Sequence, residues 1–73
     1  MLGERDAVVA QVEPYAVHGS PYVRVALAFP DHTFMQAQLG TESVPEALVV
    51  GEPVVVRFAM NVVVGIERRS GRP

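Results

Sequence analysis

The chain has 73 residues, eight of them acidic, six basic and none cysteine, for a formal charge of −2. A chain this short makes one domain that buries only about 60% of the surface its unfolded form exposes, and without cysteine it holds neither a disulfide nor a thiolate zinc site. All six bases are arginines, and three of them, Arg68, Arg69 and Arg72, crowd the end of the chain; eight acids then stand against three arginines elsewhere, which argues against a basic nucleic-acid stripe.

Residues 1–6 are polar and are expected to be disordered, with no apolar leader segment among them. No apolar run approaches the roughly 18 residues that span a bilayer, so no membrane insertion and a cytoplasmic location are expected. The first strand is read over residues 7–13, with Val8, Ala10 and Val12 on one face and Val9, Gln11 and Glu13 on the other. Pro14 ends it for want of a donor N–H, and residues 15–21 follow as a loop in which Gly19 supplies a positive φ.

A second strand over residues 22–29 sets Val23, Val25, Leu27 and Phe29 against Tyr22, Arg24, Ala26 and Ala28. Pro30-Asp31-His32 is a turn, in which Asp31 bonds the backbone two residues on. The third strand, residues 33–39, places Met35, Ala37 and Leu39 opposite Phe34, Gln36 and Gln38, and its softer alternation marks an edge or a partly covered surface.

Gly40 breaks that strand, and Ser43-Val44-Pro45-Glu46 has the spacing of a capping box. It predicts a one-turn helix or 3₁₀ plug, with Pro45 in the first turn and Leu48 laid over an open end of the core. Residues 49–67 carry the strongest pattern: Val54, Val56 and Phe58 alternate with Val55, Arg57 and Ala59, and Val62, Val64 and Ile66 alternate with Val63, Gly65 and Glu67, about a turn at Ala59-Met60-Asn61. Residues 68–73 lack apolar side chains and are expected to be a disordered tail.

Three strands, a short helix and two strands give an all-β domain over residues 7–67, in the element order of the OB-fold, a five-stranded partly open Greek-key barrel. An SH3-like barrel accommodates the same strands. A marginal core and valines such as Val55 and Val63 on the outer face point to a homo-oligomer.

Val12-Glu13-Pro14-Tyr15-Ala16-Val17, Gly40-Thr41-Glu42-Ser43-Val44, Val50-Gly51-Glu52-Pro53-Val54 and the stretch from Phe58 to Val64 together resemble the small molybdate-binding Mop domains and the related transport-associated OB (TOBE) domains. The resemblance implies barrels that associate through their sheets and hold an oxyanion, molybdate in the type case, at or near subunit contacts by hydroxyls, backbone N–H groups and a lysine. The hydroxyl of the family's Glu-Ser motif falls on Ser43, the serine of its Lys-Ala-Ser stretch on Asn61, and its threonine on Gly40, with Thr41 adjacent. Its lysine falls on Ala59, so the full positive charge of the site is absent here. A second likeness, through Pro21-Tyr22-Val23, Ala37-Gln38-Leu39 and the run from Pro45 to Gly51, is to the OB domain that follows a zinc ribbon in acyl-CoA-associated proteins; the ribbon itself is missing.

Candidate functional groups are few. Thr41, Ser43 and the N–H groups near them suit an anion, or else Ser43 is an N-cap and Thr41 a turn residue. Arg24 and Arg57 sit among apolar neighbours and either clamp a carboxylate or phosphate or pair with Glu13 and Glu67 across the sheet. Tyr22, Phe34 and Phe58 are too few for a base-stacking platform once Phe58 joins the core. His18 and His32 lie in separate turns, and Asp31, Glu46 and Glu52 form no carboxylate pair, so no enzyme is expected. The sequence therefore reads as a binding module with Thr41, Ser43, Asn61 and Arg57 as its ligand-binding set, or as a ligand-free protein-interaction module, for instance with an acyl-CoA-handling partner.

Overall fold

A computed structural model describes residues 2–69 as five antiparallel strands in one sheet with one short 3₁₀ turn. The strands are β1 (Leu2–Val17), β2 (Ser20–Ala28), β3 (Phe34–Gly40), β4 (Pro53–Ala59) and β5 (Val62–Arg68), and the turn spans Thr41–Ser43. They lie in the order β3-β2-β1-β4-β5, so β1 is central and β3 and β5 are the edges. Among the described residues no ladder joins those two edges, and the sheet is not closed.

The length of β1 differs most from the sequence reading, which begins it at Ala7 and ends it before Pro14. Its first half pairs with β4 from Leu2↔Ala59 to Val8↔Pro53, and its second half pairs with β2 from Val8↔Ala28 to Val17↔Ser20. The charged start is ordered because each charge meets a partner: Glu4 lies near Arg57, Arg5 near Asp31, and Asp6 pairs with Arg69. Pro14 is tolerated opposite Val23 because, past Val9, β1 is paired on the β2 side alone, and a proline without a donor suits a strand with a free edge.

Residues 15–21 are correspondingly not a loop. β1 and β2 join through His18 (φ 50°) and Gly19 (φ 81°), and β4 and β5 through Met60 (φ 52°) and Asn61 (φ 69°). Two successive left-handed residues are what a two-residue type I′ hairpin requires, and that turn matches the right-handed twist of the strands it connects.

The core is Ala7 and Val9 from β1, Val23, Val25 and Leu27 from β2, then Phe29, Ala37, Leu39, Val54, Val56 and Ile66. Among the described residues no polar or charged side chain is buried. The faces expected for β2, β3 and β4 hold, and β3 is an edge as its pattern implies. Two bulges change the faces of the other strands. Val9 pairs with Leu27 and Gln11 with Ala26, so Ala10 is an extra residue; the inward parity therefore passes from Val9 to Val12, which packs on the core. Arg57 pairs with Gly65 and Phe58 with Val63, so Val64 is extra. Val63 consequently packs on the core, while Val62 and Val64, expected beside Ile66, are exposed.

The capping box does not form. The 3₁₀ turn ends at Ser43 and has no side-chain cap, and Val44 is extended (φ −132°, ψ 154°). Proline disfavours helical backbone in the residue before it, so Pro45 prevents the helix that Ser43 and Glu46 would have framed. Leu48 and Val44 nevertheless pack against the core, as expected of a plug.

Arg68 and Arg69, assigned to the tail in the sequence reading, are anchored. Arg68 belongs to β5 and pairs with Glu52, and the Arg69 N–H donates to the Pro53 carbonyl at 3.3 Å. The remainder of the expected tail, residues 70–73, and Met1 lie outside the described residues.

Candidate functional site

A cleft of about 850 Å³ opens between the segment that leaves β3 and the β4–β5 hairpin. Glu42, Ser43 and Pro45 form one wall, and Glu4, Arg57 and Glu67 lie along the sheet opposite. The walls meet near Gly65, where the Ser43 carbonyl oxygen stands 3.7 Å from where a side chain would begin, an ordinary contact distance.

Arg57 is the cation expected to meet an anion here, and the sheet places it beside two carboxylates, one directly across and one on the diagonal. Glu4 is its direct partner on β1, and Glu67 on β5 lies two pairs along from Gly65, diagonal to Arg57 on the same face. Arg57 Nη1 donates to Glu67 Oε2 at 2.5 Å, and Arg57 Nε lies 3.8 Å from Glu4 Oε2. Glu42 makes no ion pair among the described residues, and its carboxylate folds back over Gly40. The second arginine of the lining, Arg68, is committed elsewhere: its guanidinium pairs with Glu52 and donates to the Glu46 carbonyl at 2.9 Å. That contact holds the Glu52 carboxyl below its usual range, helped by the Val49 N–H at 3.2 Å, and raises Arg68. The cleft therefore carries more carboxylate than free cation.

The four residues singled out in the sequence do not converge. Ser43 and Arg57 line this cleft, and Thr41 stands at the start of the 3₁₀ turn outside its lining. Thr41 contributes a backbone carbonyl that accepts from the Val44 N–H at 3.4 Å. Asn61 occupies the left-handed second position of the β4–β5 turn and borders a different cleft, with Arg5, Met35, Phe58 and Met60. Its identity follows from the turn, because asparagine tolerates positive φ better than most residues.

The alternative reading of the strand arginines holds for both. Arg24 Nη1 donates to Glu13 Oε1 at 2.8 Å, and its guanidinium carbon lies 5.0 Å from the centre of the Tyr15 ring, which itself stacks on Tyr22. Arg57 pairs with Glu67 as described. The roles of Glu4 and Arg68 escaped the sequence reading because both fall in segments whose polar composition resembles disorder; their signal is the complementary charge on the strands they join.

Other polar contacts are structural. The Asp31 carboxylate accepts from the Thr33 hydroxyl at 2.5 Å and the Thr33 N–H at 3.1 Å, which lowers its pKa, with Arg5 adding to the effect. This is the turn contact expected of Asp31. Among the described residues no group of three or more histidine or acidic side chains is placed to hold a metal ion, and no helix is long and apolar enough to cross a membrane. Comparisons with family models, curated proteins and solved structures find no match to this chain.

Proposed function

We propose that this protein is a non-enzymatic association module, an OB-like barrel opened between β3 and β5, whose acid-lined cleft receives a cationic side chain of a protein partner. The observation that carries the reading is the state of the cleft's two arginines, Arg57 held by Glu67 and Glu4 and Arg68 by Glu52, which leaves Glu42 as the lining charge without an ion-pair partner among the described residues. An oxyanion entering there would face carboxylates with no uncommitted cation, since the lysine that the Mop and TOBE resemblance requires is Ala59. An arginine or lysine of a partner meets the opposite field.

Strand order supports the OB-like form over the SH3-like one. A central β1 paired with both β2 and β4, with β3 and β5 at the two ends, is the order of an OB barrel cut between its third and fifth strands. The test is calorimetric titration of the protein with a short blocked peptide carrying arginine. Binding that weakens in Glu42→Gln and at high salt is the expected result, whereas equal affinity in Glu42→Gln, or no heat at millimolar peptide, overturns the reading.

A further inference from the structure

Five arginines lie among the described residues, and four of them are closely held. Arg24, Arg57, Arg68 and Arg69 each have a carboxylate oxygen within 2.8 Å of a guanidinium nitrogen. Arg5 does not. Its ion pair with Asp31 runs from Nη2 to Oδ2 at 3.5 Å, and the other oxygen of that carboxylate is taken by the Thr33 hydroxyl and N–H. Among the described residues Nε and Nη1 of Arg5 have no protein acceptor.

The placement of Arg5 is as unusual as its freedom. On β1 it shares the parity of buried Ala7 and Val9, and it pairs with buried Val56 on β4, so it is a charge in a row that is otherwise core. Its guanidinium carbon lies 4.2 Å from the centre of the Phe29 ring. Such stacking fixes the plane of the guanidinium and leaves the donors along its edge free. Arg5 borders the second cleft, of about 740 Å³, whose apolar walls are Met35, Phe58 and Met60. This cleft adjoins the acid-lined one, since Glu4 and Phe58 border both. Glu4 is the neighbour of Arg5 on the strand and therefore points to the opposite face, where it lies 3.8 Å from Arg57.

A planar guanidinium with free edge donors receives a carboxylate through two parallel hydrogen bonds, and the three apolar walls reward an apolar group attached to it. A strongly hydrated inorganic oxyanion loses its water there and gains nothing from methionine or phenylalanine. We propose that this second cleft binds a small monocarboxylate with an apolar body, Arg5 receiving the carboxylate and Met35, Phe58 and Met60 covering the rest.

An NMR titration of the full chain with hexanoate tests the site, with hexanol and sulfate as controls that each lack half of the proposed ligand. Hexanoate should shift the amides of Arg5, Met35 and Met60 saturably, and neither control should do so at the same millimolar concentration. Arg5→Lys keeps the charge but loses the two-pronged geometry, and should weaken hexanoate about tenfold. Met60→Asn suits the left-handed turn position, removes an exposed apolar wall and should weaken it as well; thermal melts check that both variants fold. N-acetylleucine identifies the source of the carboxylate: tighter binding than hexanoate assigns it to a peptide C-terminus, and weaker binding to a free acid. No saturable shift with either carboxylate, equal shifts with hexanol or sulfate, or wild-type affinity in either variant would overturn the proposal.

Discussion

Arg57 donates to Glu67 at 2.5 Å and lies 3.8 Å from Glu4, so this arginine of the cleft lining is engaged by both neighbouring strands. Exposed ion pairs of this kind contribute about 0.2–1 kcal/mol, and Arg57→Ala is expected to lower stability by no more than that in chemical denaturation. The functional consequence is larger. Glu4→Gln with Glu67→Gln frees the guanidinium, so millimolar molybdate or sulfate should raise the melting temperature of that double variant while leaving the wild type unmoved. An equal rise in the wild type would show that Arg57 is already available to anions.

The bulge at Val64 makes two adjacent valines unequal. Val63 is partly buried against the core and Val64 is 48% exposed, so Val63→Asp sets a carboxylate against apolar neighbours and is expected to destabilise the chain strongly. Val64→Asp should change stability by about 0.5 kcal/mol or less, the range usual at exposed positions. Phe58→Ala, which removes a partly buried ring whose centre lies 6.3 Å from that of Phe29, should cost less than the about 3–5 kcal/mol of a fully buried phenylalanine but more than Val64→Asp. Thermal melts of the three variants check the order, and a Val64 variant less stable than the Val63 variant would place the bulge elsewhere.

Arg68 ties the end of β5 to Glu52 and to the carbonyls of Glu46 and Ala47. Deleting residues 68–73 is therefore expected to lower the melting temperature, and Arg68→Ala alone should reproduce most of the loss. A tail deletion with wild-type stability would mean that these contacts contribute nothing.

Acid should destabilise the fold through two carboxylates. Asp31 is held below its ordinary pKa first by the Thr33 hydroxyl, and Glu52 first by Arg68. A depressed folded-state pKa means that the unfolded chain binds the proton more tightly, so the stabilisation is complete above the unfolded carboxylate range and is lost as pH falls through the folded values. Denaturation measured from neutral to acid pH should show a shallower decline in Asp31→Asn and Glu52→Gln than in the wild type.

Ala47 adopts φ 56°, a left-handed conformation that penalises a Cβ. Ala47→Gly removes that penalty and should leave the melting temperature equal or higher, while Ala47→Val should lower it.

How much of this was legible in the sequence depends on whether local pattern or distant charge decided the outcome. Alternation placed β2, β3 and β4 and most of the core, because each keeps period two over its length, if more softly in β3. The bulges at Ala10 and Val64 were not legible, since a single extra residue leaves the local composition unchanged while inverting every side chain beyond it. The polar ends misled for a related reason: Glu4, Arg5, Asp6, Arg68 and Arg69 look like solvated chain until their partners on other strands are known. Ser43 and Arg57 were found together at the cleft, but Asn61 belonged to a turn whose geometry explains it without a ligand.

The most direct measurement is an NMR titration of the wild-type protein, run once with a blocked arginine peptide and once with molybdate. The account predicts that the peptide shifts the amides of Ser43, Gly65 and Glu67, which line the cleft, and that molybdate at the same concentration leaves them in place. Saturable shifts at those amides with molybdate, and none with the peptide, would contradict it.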